Sequence, residues 1–190
     1  MKAILKSFIA GALLLASFQS ALADNYSETR EIFEKAGESA TFFGKSYGYA
    51  LFPTIGKAGI GIGGAHGSGR VYVGGNHVGD TKMTQVTYGL QLGGQAYSQI
   101  VFFEDKRAFE EFTSGNFEFG AQATAVAITA SAGAQANTGG GTQAGAAGGK
   151  NDAATVSGGY RKGMAIFTVA KGGLMYEATL GGQKYSYTAK

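Results

Sequence analysis

Hydrophobic and polar residues alternate along much of this chain, which is typical of β-strands with one buried face. The pattern is clearest where apolar residues alternate with glycines or small polar residues, as at Ile60 and Ile62 and again through residues 86–92. Glycine within a strand usually marks a bulge, a bend or the close approach of another backbone. Residues 52–94 therefore predict a strongly curved sheet in which neighbouring layers come unusually close to each other.

Two segments follow a helical period instead. In residues 27–43, apolar side chains form one stripe at a 3.6-residue spacing, and Gly44 is placed to end the helix. Asp105 is placed to cap a second, short helix over residues 105–113.

The stripe of the first helix predicts that this helix packs on the sheet. Contact with a membrane surface is the alternative, and its contact residues would be Ile32, Phe33 and Phe43. The polar face of the helix argues against that alternative, because four glutamates outnumber Arg30 and Lys35, whereas interfacial helices favour cations.

The remaining pattern predicts strands joined by tight turns. A short strand from Tyr47 is expected to end at Pro53, because proline cannot donate to a sheet ladder. Gly74-Gly75-Asn76 favours a hairpin turn, and residues 100–103 are a continuous apolar run typical of a buried strand. Further strands are expected at residues 117–127, 153–157, 163–170, 173–180 and 183–188. The predicted fold is α+β: a curled, mostly antiparallel sheet that tends toward a barrel, with an N-terminal amphipathic helix and a short second helix.

The first 23 residues predict a secretory signal peptide. Lys2 and Lys6 precede an apolar run, and Ala21-Leu22-Ala23 is a small-residue cleavage site. The apolar run of about 15 residues is shorter than the roughly 20 that a membrane-spanning helix needs. We therefore expect an exported chain, periplasmic or secreted and peripheral to the cell envelope, in which residues 24–190 form one domain. Within that domain, residues 133–151 are low in complexity and predict a flexible loop.

Charge and composition argue against several functional classes. The chain has 16 basic and 13 acidic residues, but two of the basic residues lie in the predicted signal peptide. The remainder is nearly neutral and gives no argument for nucleic-acid binding. The absence of cysteine excludes disulfides and a cysteine nucleophile. Gly59-x-Gly61-x-x-Gly64 matches a dinucleotide-binding fingerprint, but a predicted strand follows it where that motif needs a helix. We expect no enzyme, no cofactor and no metal site.

Basic residues flank the glycine-rich elements. The candidates for binding an anionic headgroup are Lys45, Lys57, Arg70, Arg161 and Lys162. Each cation near an anionic membrane surface contributes about 1 kcal/mol, and glycine-rich loops expose backbone N–H groups that can cradle phosphate. Lys57 falls in a predicted turn and is expected to project from the sheet edge, because burying an unpaired charge is costly. Ordinary solvating charge is the alternative interpretation of all five.

The glycine-rich motifs also resemble a known family. The run Phe52-Pro53-x-x-Gly56-Lys57-x-Gly59-Ile60-Gly61-Ile62-Gly63-Gly64, then Gly67-x-Gly69 before a strand, then Tyr88-Gly89-Leu90-Gln91-Leu92-Gly93-Gly94-Gln95, resembles the SYLF lipid-binding family. The resemblance continues through residues 100–112 and 117–127 and returns at residues 171–184. It therefore covers nearly all of the chain after residue 23.

That family includes eukaryotic membrane-trafficking and actin-regulating proteins as well as exported bacterial proteins, so the resemblance implies non-catalytic lipid binding. In the eukaryotic members, basic residues and an N-terminal amphipathic helix bind phosphatidylinositol-type headgroups. In a bacterial envelope, anionic phospholipid or lipopolysaccharide would take their place. Two alternatives stay open: a small outer-membrane β-barrel, and a structural or surface interaction protein whose protein partner is unknown.

Overall fold

A computed structural model of the protein describes residues 25–89, 94–120, 125–128, 160–171 and 181–190. The helices are α1 (residues 25–35), α2 (Gly37–Phe43) and α3 (Lys106–Phe112). The strands are β1 (Gly48–Val73), β2 (Asn76–Gly89), β3 (Gly94–Phe103), β4 (Phe117–Glu118), β5 (Val126–Ile128), β6 (Met164–Lys171) and β7 (Gln183–Ala189). The predicted signal peptide, the predicted loop at residues 133–151 and the predicted strands at 153–157 and 173–180 lie outside the described residues.

The strands form one seven-stranded sheet in the order β4-β7-β2-β1-β3-β6-β5. The described pairings are antiparallel except that of β5 with β6, which is parallel. The 26-residue strand β1 lies at the centre, where its first half pairs with β3 and its second half with β2. The sheet curls into a half-barrel, which confirms the predicted α+β fold.

The two halves of β1 lie directly against each other, and glycines make this approach possible. A methyl group on Gly48 would lie 2.4 Å from the carbonyl oxygen of Tyr72. At the bend, a methyl group on Gly59 would lie 2.2 Å from the Cα atom of Gly63. The strand is folded back on itself around this bend, which confirms the close backbone approach predicted from the glycine pattern.

The prediction that Pro53 ends a short strand is wrong. Strand β1 continues through it because the register against β3 shifts between Phe52 and Ile55, and proline is tolerated at such a bulge. The Pro53 carbonyl accepts a hydrogen bond from the buried Ser98 hydroxyl at 2.7 Å. As a consequence Lys57 lies inside β1 rather than in a turn, and its side chain is half-buried rather than projecting.

The predicted hairpin turn and the predicted cap of the short helix are both present in the structure. Gly74 and Gly75 have φ angles of 56° and 81° in the hairpin between β1 and β2. The Asp105 carboxylate accepts a hydrogen bond from the backbone N–H of Ala108 at 2.8 Å and caps α3 as predicted. The strand expected at residues 117–127 corresponds to two short strands, β4 and β5.

The N-terminal helix is interrupted, which the sequence pattern did not predict. Ala36 leaves the helical conformation with φ −89° and ψ 94°, so α1 and α2 replace the single expected helix. Gly44 ends α2 as predicted. Among the helices that the structure describes, none is long and apolar enough to cross a bilayer.

The two faces of the sheet bury two separate cores. The inner core includes residues of strands that are not neighbours in the sheet, such as Val101 on β3 and Tyr185 on β7, because the sheet curls around it. Helix α3 closes this core with Phe112. The outer core lies under α1 and α2, where Phe33 and Phe42 pack on residues of β1, β3 and β6. The apolar stripe of the N-terminal segment therefore packs on the sheet.

A buried polar network crosses the inner core. The Gln99 amide on β3 donates hydrogen bonds to Oε1 of Gln183 on β7 at 3.2 Å and to the Tyr185 hydroxyl at 2.7 Å. The Gln183 amide donates to the Tyr97 hydroxyl at 3.2 Å. Burial raises the pKa of the Tyr97 and Tyr185 phenols well above the ordinary value for tyrosine, so both phenols stay protonated. The network ties together two strands that the sheet order keeps apart.

Replacing Gln99 with leucine is expected to lower the free energy of unfolding by about 1–3 kcal/mol, because buried partners on β7 lose their hydrogen bonds. Urea denaturation measures this change, with Gln95→Leu, an exposed position of β3, as the matched control. Equal unfolding midpoints for the two variants would show that the network contributes nothing to stability.

Candidate functional site

A groove of about 600 Å³ opens beside the bend of β1, at the glycine-rich end of the sheet. We call it the glycine-end groove. It is lined by Gly56, Lys57, Ala58, Gly64, Ala65, His66, Gly94, Gln95, Ala96 and Lys171. The sheet register brings distant residues together here, since Gly56 pairs with Ala96 and Ala96 pairs with Lys171. Because most lining side chains are small, a ligand can approach the backbone closely.

The ionisable side chains lining this groove are cationic or histidine. Within the described parts of the chain, none of the lining residues is acidic. The Lys171 ammonium donates a hydrogen bond to Oγ1 of Thr54 at 2.8 Å, a neutral partner that leaves its charge in place. Strand alternation places Lys57 on the same face as the buried Ile55, whereas Lys171 lies on the opposite, outer face with His66. The two lysines therefore lie on opposite faces of the sheet, at the same end of it.

Two aliphatic side chains stand exposed next to the groove. Ile62 is 66 % exposed and Val86 is 61 % exposed. Val86 pairs with Gly64 across β1 and β2, and Ile62 lies two residues from Gly64, so the two side chains are diagonal neighbours on the outer face. Exposed apolar neighbours beside a groove are typical of an interaction surface.

Of the basic residues predicted from sequence, only Lys57 lines this groove. Lys45 is exposed after the end of α2, and Arg161 and Lys162 are exposed in the turn before β6. The start of β6 pairs with the end of β3, and the end of β3 pairs with the start of β1. These three residues therefore lie at the end of the sheet opposite to the glycine-end groove.

Arg70 lies in a second groove, of about 520 Å³. Its guanidinium carbon is 4.2 Å from the centre of the Tyr26 ring. Asp80 is its pairing partner on β2 and accepts a hydrogen bond at 3.0 Å from Nε2 of His77. Because a carboxylate lines this groove, it is less suited to an anionic ligand than the glycine-end groove.

The candidate membrane contacts of the N-terminal segment are largely engaged in packing. Phe33 is fully buried, and Phe43 is half-buried with its ring 4.9 Å from that of Phe102. Ile32 is 37 % exposed. Contact with lipid through this set would therefore require the helices to leave the sheet.

Sequence reasoning missed Lys171 and the exposed pair of Ile62 and Val86. Lys171 precedes a glycine pair, Gly172-Gly173, in the same way that other lysines flank the glycine-rich segments. The sequence shows this position beside glycines, but it does not show that Lys171 pairs with β3. The exposure of the aliphatic pair was hidden because alternation alone does not say which face of the strand is covered.

Two comparisons relate the chain to known proteins. A family model, Ysc84, described as Las17-binding protein actin regulator, matches residues 84–188, which is more than half of the chain. The chain is also similar to beta cell expansion factor A of Aeromonas veronii, at 29 % identity over 156 residues. That alignment covers 81 % of this chain and 51 % of the relative, so the chain spans about half the length of that protein.

Proposed function

The chain belongs to the Ysc84 (SYLF) family of binding domains, and from that premise we propose that it binds anionic lipid headgroups through the glycine-end groove without catalysing a reaction. The observation that carries the proposal is the pair of lysines, Lys57 and Lys171, that flank one groove with small side chains between them. The family resemblance of the glycine-rich motifs points to the same stretch of sequence.

The chemistry of the groove suits a phosphate group. A lysine ammonium acts as a point charge on a flexible stem, so two of them can adjust to headgroups of different shape. Each contributes about 1 kcal/mol near an anionic surface. Glycine and alanine on β1 and β3 let the phosphate approach the backbone, where larger side chains would hold it away.

The proposed setting is the bacterial cell envelope or the outside of the cell. The predicted signal peptide supports export, after which the protein would associate peripherally with a membrane. The proposed partners are anionic phospholipid and lipopolysaccharide, which present phosphate groups at such surfaces.

Flotation of purified protein with vesicles tests the proposal. We expect recovery with vesicles that contain phosphatidylglycerol and little recovery with phosphatidylcholine alone. Raising the salt concentration from about 0.05 M to about 0.5 M is expected to weaken the binding. The added ions shorten the Debye length and so screen the lysine charges more strongly. Equal, negligible recovery with both vesicle types would contradict the proposed function. A parallel measurement with lipopolysaccharide then compares the two classes of anionic lipid.

A further inference from the structure

We propose that the protein docks on the membrane end-on, with the bend of β1 leading and with Ile62 and Val86 entering the lipid interface. This inference rests on the proposed function, since it names the surface by which the same groove reaches its lipid. The occupant of this surface is an anionic bilayer.

The exposure of apolar side chains favours docking through this end of the sheet. Among the described residues, four large hydrophobic side chains are exposed: Ile32, Tyr47, Ile62 and Val86. The last two are the most exposed of the four, and they are neighbours on one face of the sheet. Removing two adjacent aliphatic side chains from water favours association with an apolar phase.

The order of side chains along the outer face matches the layers of a bilayer surface. Behind the aliphatic pair lies a row formed by His66, Thr84 and Lys184, which pair across β1, β2 and β7. This row is two residues from Val86, which is about 7 Å along a strand. The headgroup layer on each side of a bilayer is roughly 5–7 Å thick. With the aliphatic pair at the acyl boundary, this polar row therefore reaches the level of the phosphates, and its one lysine, Lys184, has its ammonium 3.4 Å from the Glu118 carboxylate.

The lysines around the bend favour an end-on approach over a flat one. Lys57 lies on one face of the sheet end and Lys171 on the other. A membrane that met the sheet flat on one face would engage only one of these lysines. Approach along the strands, toward the end of the sheet, brings both to the headgroups at once.

The alternative docking element is α1, and its surface does not suit this role. Its apolar side is used in the outer core, where Phe33 is fully buried. Its exposed side carries Glu31 and Glu34, which form ion pairs with Lys35 and Arg30. A helix that docks on anionic lipid presents an excess of cations instead.

Tryptophan substitution tests the pose because the chain contains no tryptophan. Ile62→Trp and Val86→Trp each place a single reporter at the predicted contact. Ile32→Trp on α1 and Tyr47→Trp before β1 are matched controls, since both positions are 37 % exposed. With phosphatidylglycerol vesicles that carry brominated acyl chains, we expect a blue-shifted emission and about twofold or stronger quenching for the first two variants only, because tryptophan settles at the membrane interface.

The outcomes separate this inference from the function on which it rests. If the variants bind vesicles but quenching is confined to Ile32→Trp, or absent at both Ile62→Trp and Val86→Trp, end-on docking is overturned while lipid binding stands. If the unmodified protein fails to float with anionic vesicles, the proposed function itself has failed. Val86→Trp keeps the test valid if Ile62→Trp does not fold.

Discussion

Reversing both lysines of the glycine-end groove, with Lys57→Glu and Lys171→Glu together, is expected to weaken binding to phosphatidylglycerol vesicles by about thirtyfold or more. Each cation near an anionic surface contributes about 1 kcal/mol, and 1.4 kcal/mol corresponds to a factor of ten in affinity. The glutamates add repulsion to the lost attraction. The single change Lys57→Glu is expected to weaken binding several-fold, with a larger effect at low salt.

The matched control is the double variant Lys45→Glu/Arg161→Glu. It carries the same change in net charge, and both of its positions are exposed at the opposite end of the sheet. Vesicle co-sedimentation at several salt concentrations compares the two double variants, and thermal unfolding checks that both remain folded. Equal weakening in the two variants would show that net charge, rather than the groove, determines binding. Unchanged binding in the groove variant would show that the two groove lysines do not contribute to lipid binding.

Gly48→Ala is expected to destabilise the protein by about 2–3 kcal/mol or more, in the range of overpacked cores. The added methyl group would lie 2.4 Å from the carbonyl oxygen of Tyr72, which belongs to the backbone and cannot rotate away. The two halves of β1 would have to separate, which also strains the stacked rings of Tyr49 and Tyr72, 5.1 Å apart. Urea denaturation measures the loss as a lower unfolding midpoint.

Gly56→Ala is the control, because no atom outside Gly56 and its two chain neighbours lies within 4 Å of the position that its methyl group would occupy. It makes the same chemical change in the same strand. Its expected effect is neutral to stabilising by about 0.5–1 kcal/mol, since alanine restricts the unfolded chain more than glycine does. If Gly48→Ala were as stable as Gly56→Ala, the fold-back of β1 would be wrong.

Features governed by neighbouring residues could be predicted from the sequence. The hairpin turn at Gly74 and Gly75 and the cap at Asp105 depend on local backbone chemistry, and both were predicted. The buried run at residues 100–103 reflects a strand covered on both faces, which apolar continuity indicates. The glycine pattern likewise indicated that two stretches of backbone come close.

Features that depend on pairing between distant residues could not be predicted in this way. Pro53 normally interrupts a ladder, but a register shift against β3 accommodates it, and that shift is a property of the pair of strands. Lys171 joins Lys57 at one groove only because β3 pairs with both β1 and β6. The hydrogen bond between Gln99 and Gln183 also depends on distant residues, because the curl of the sheet brings β3 and β7 together.

Hydrogen–deuterium exchange of the unmodified protein, with and without phosphatidylglycerol vesicles, tests most directly whether the glycine-rich end of the sheet meets the membrane. We expect slower exchange in peptides that cover residues 56–66 and 94–96, where the bend of β1 and the groove lie. We expect no change in residues 25–43, where the helices pack on the outer core. Protection confined to residues 25–43, or no protection anywhere with vesicles that the protein binds, would contradict membrane contact through this end of the sheet.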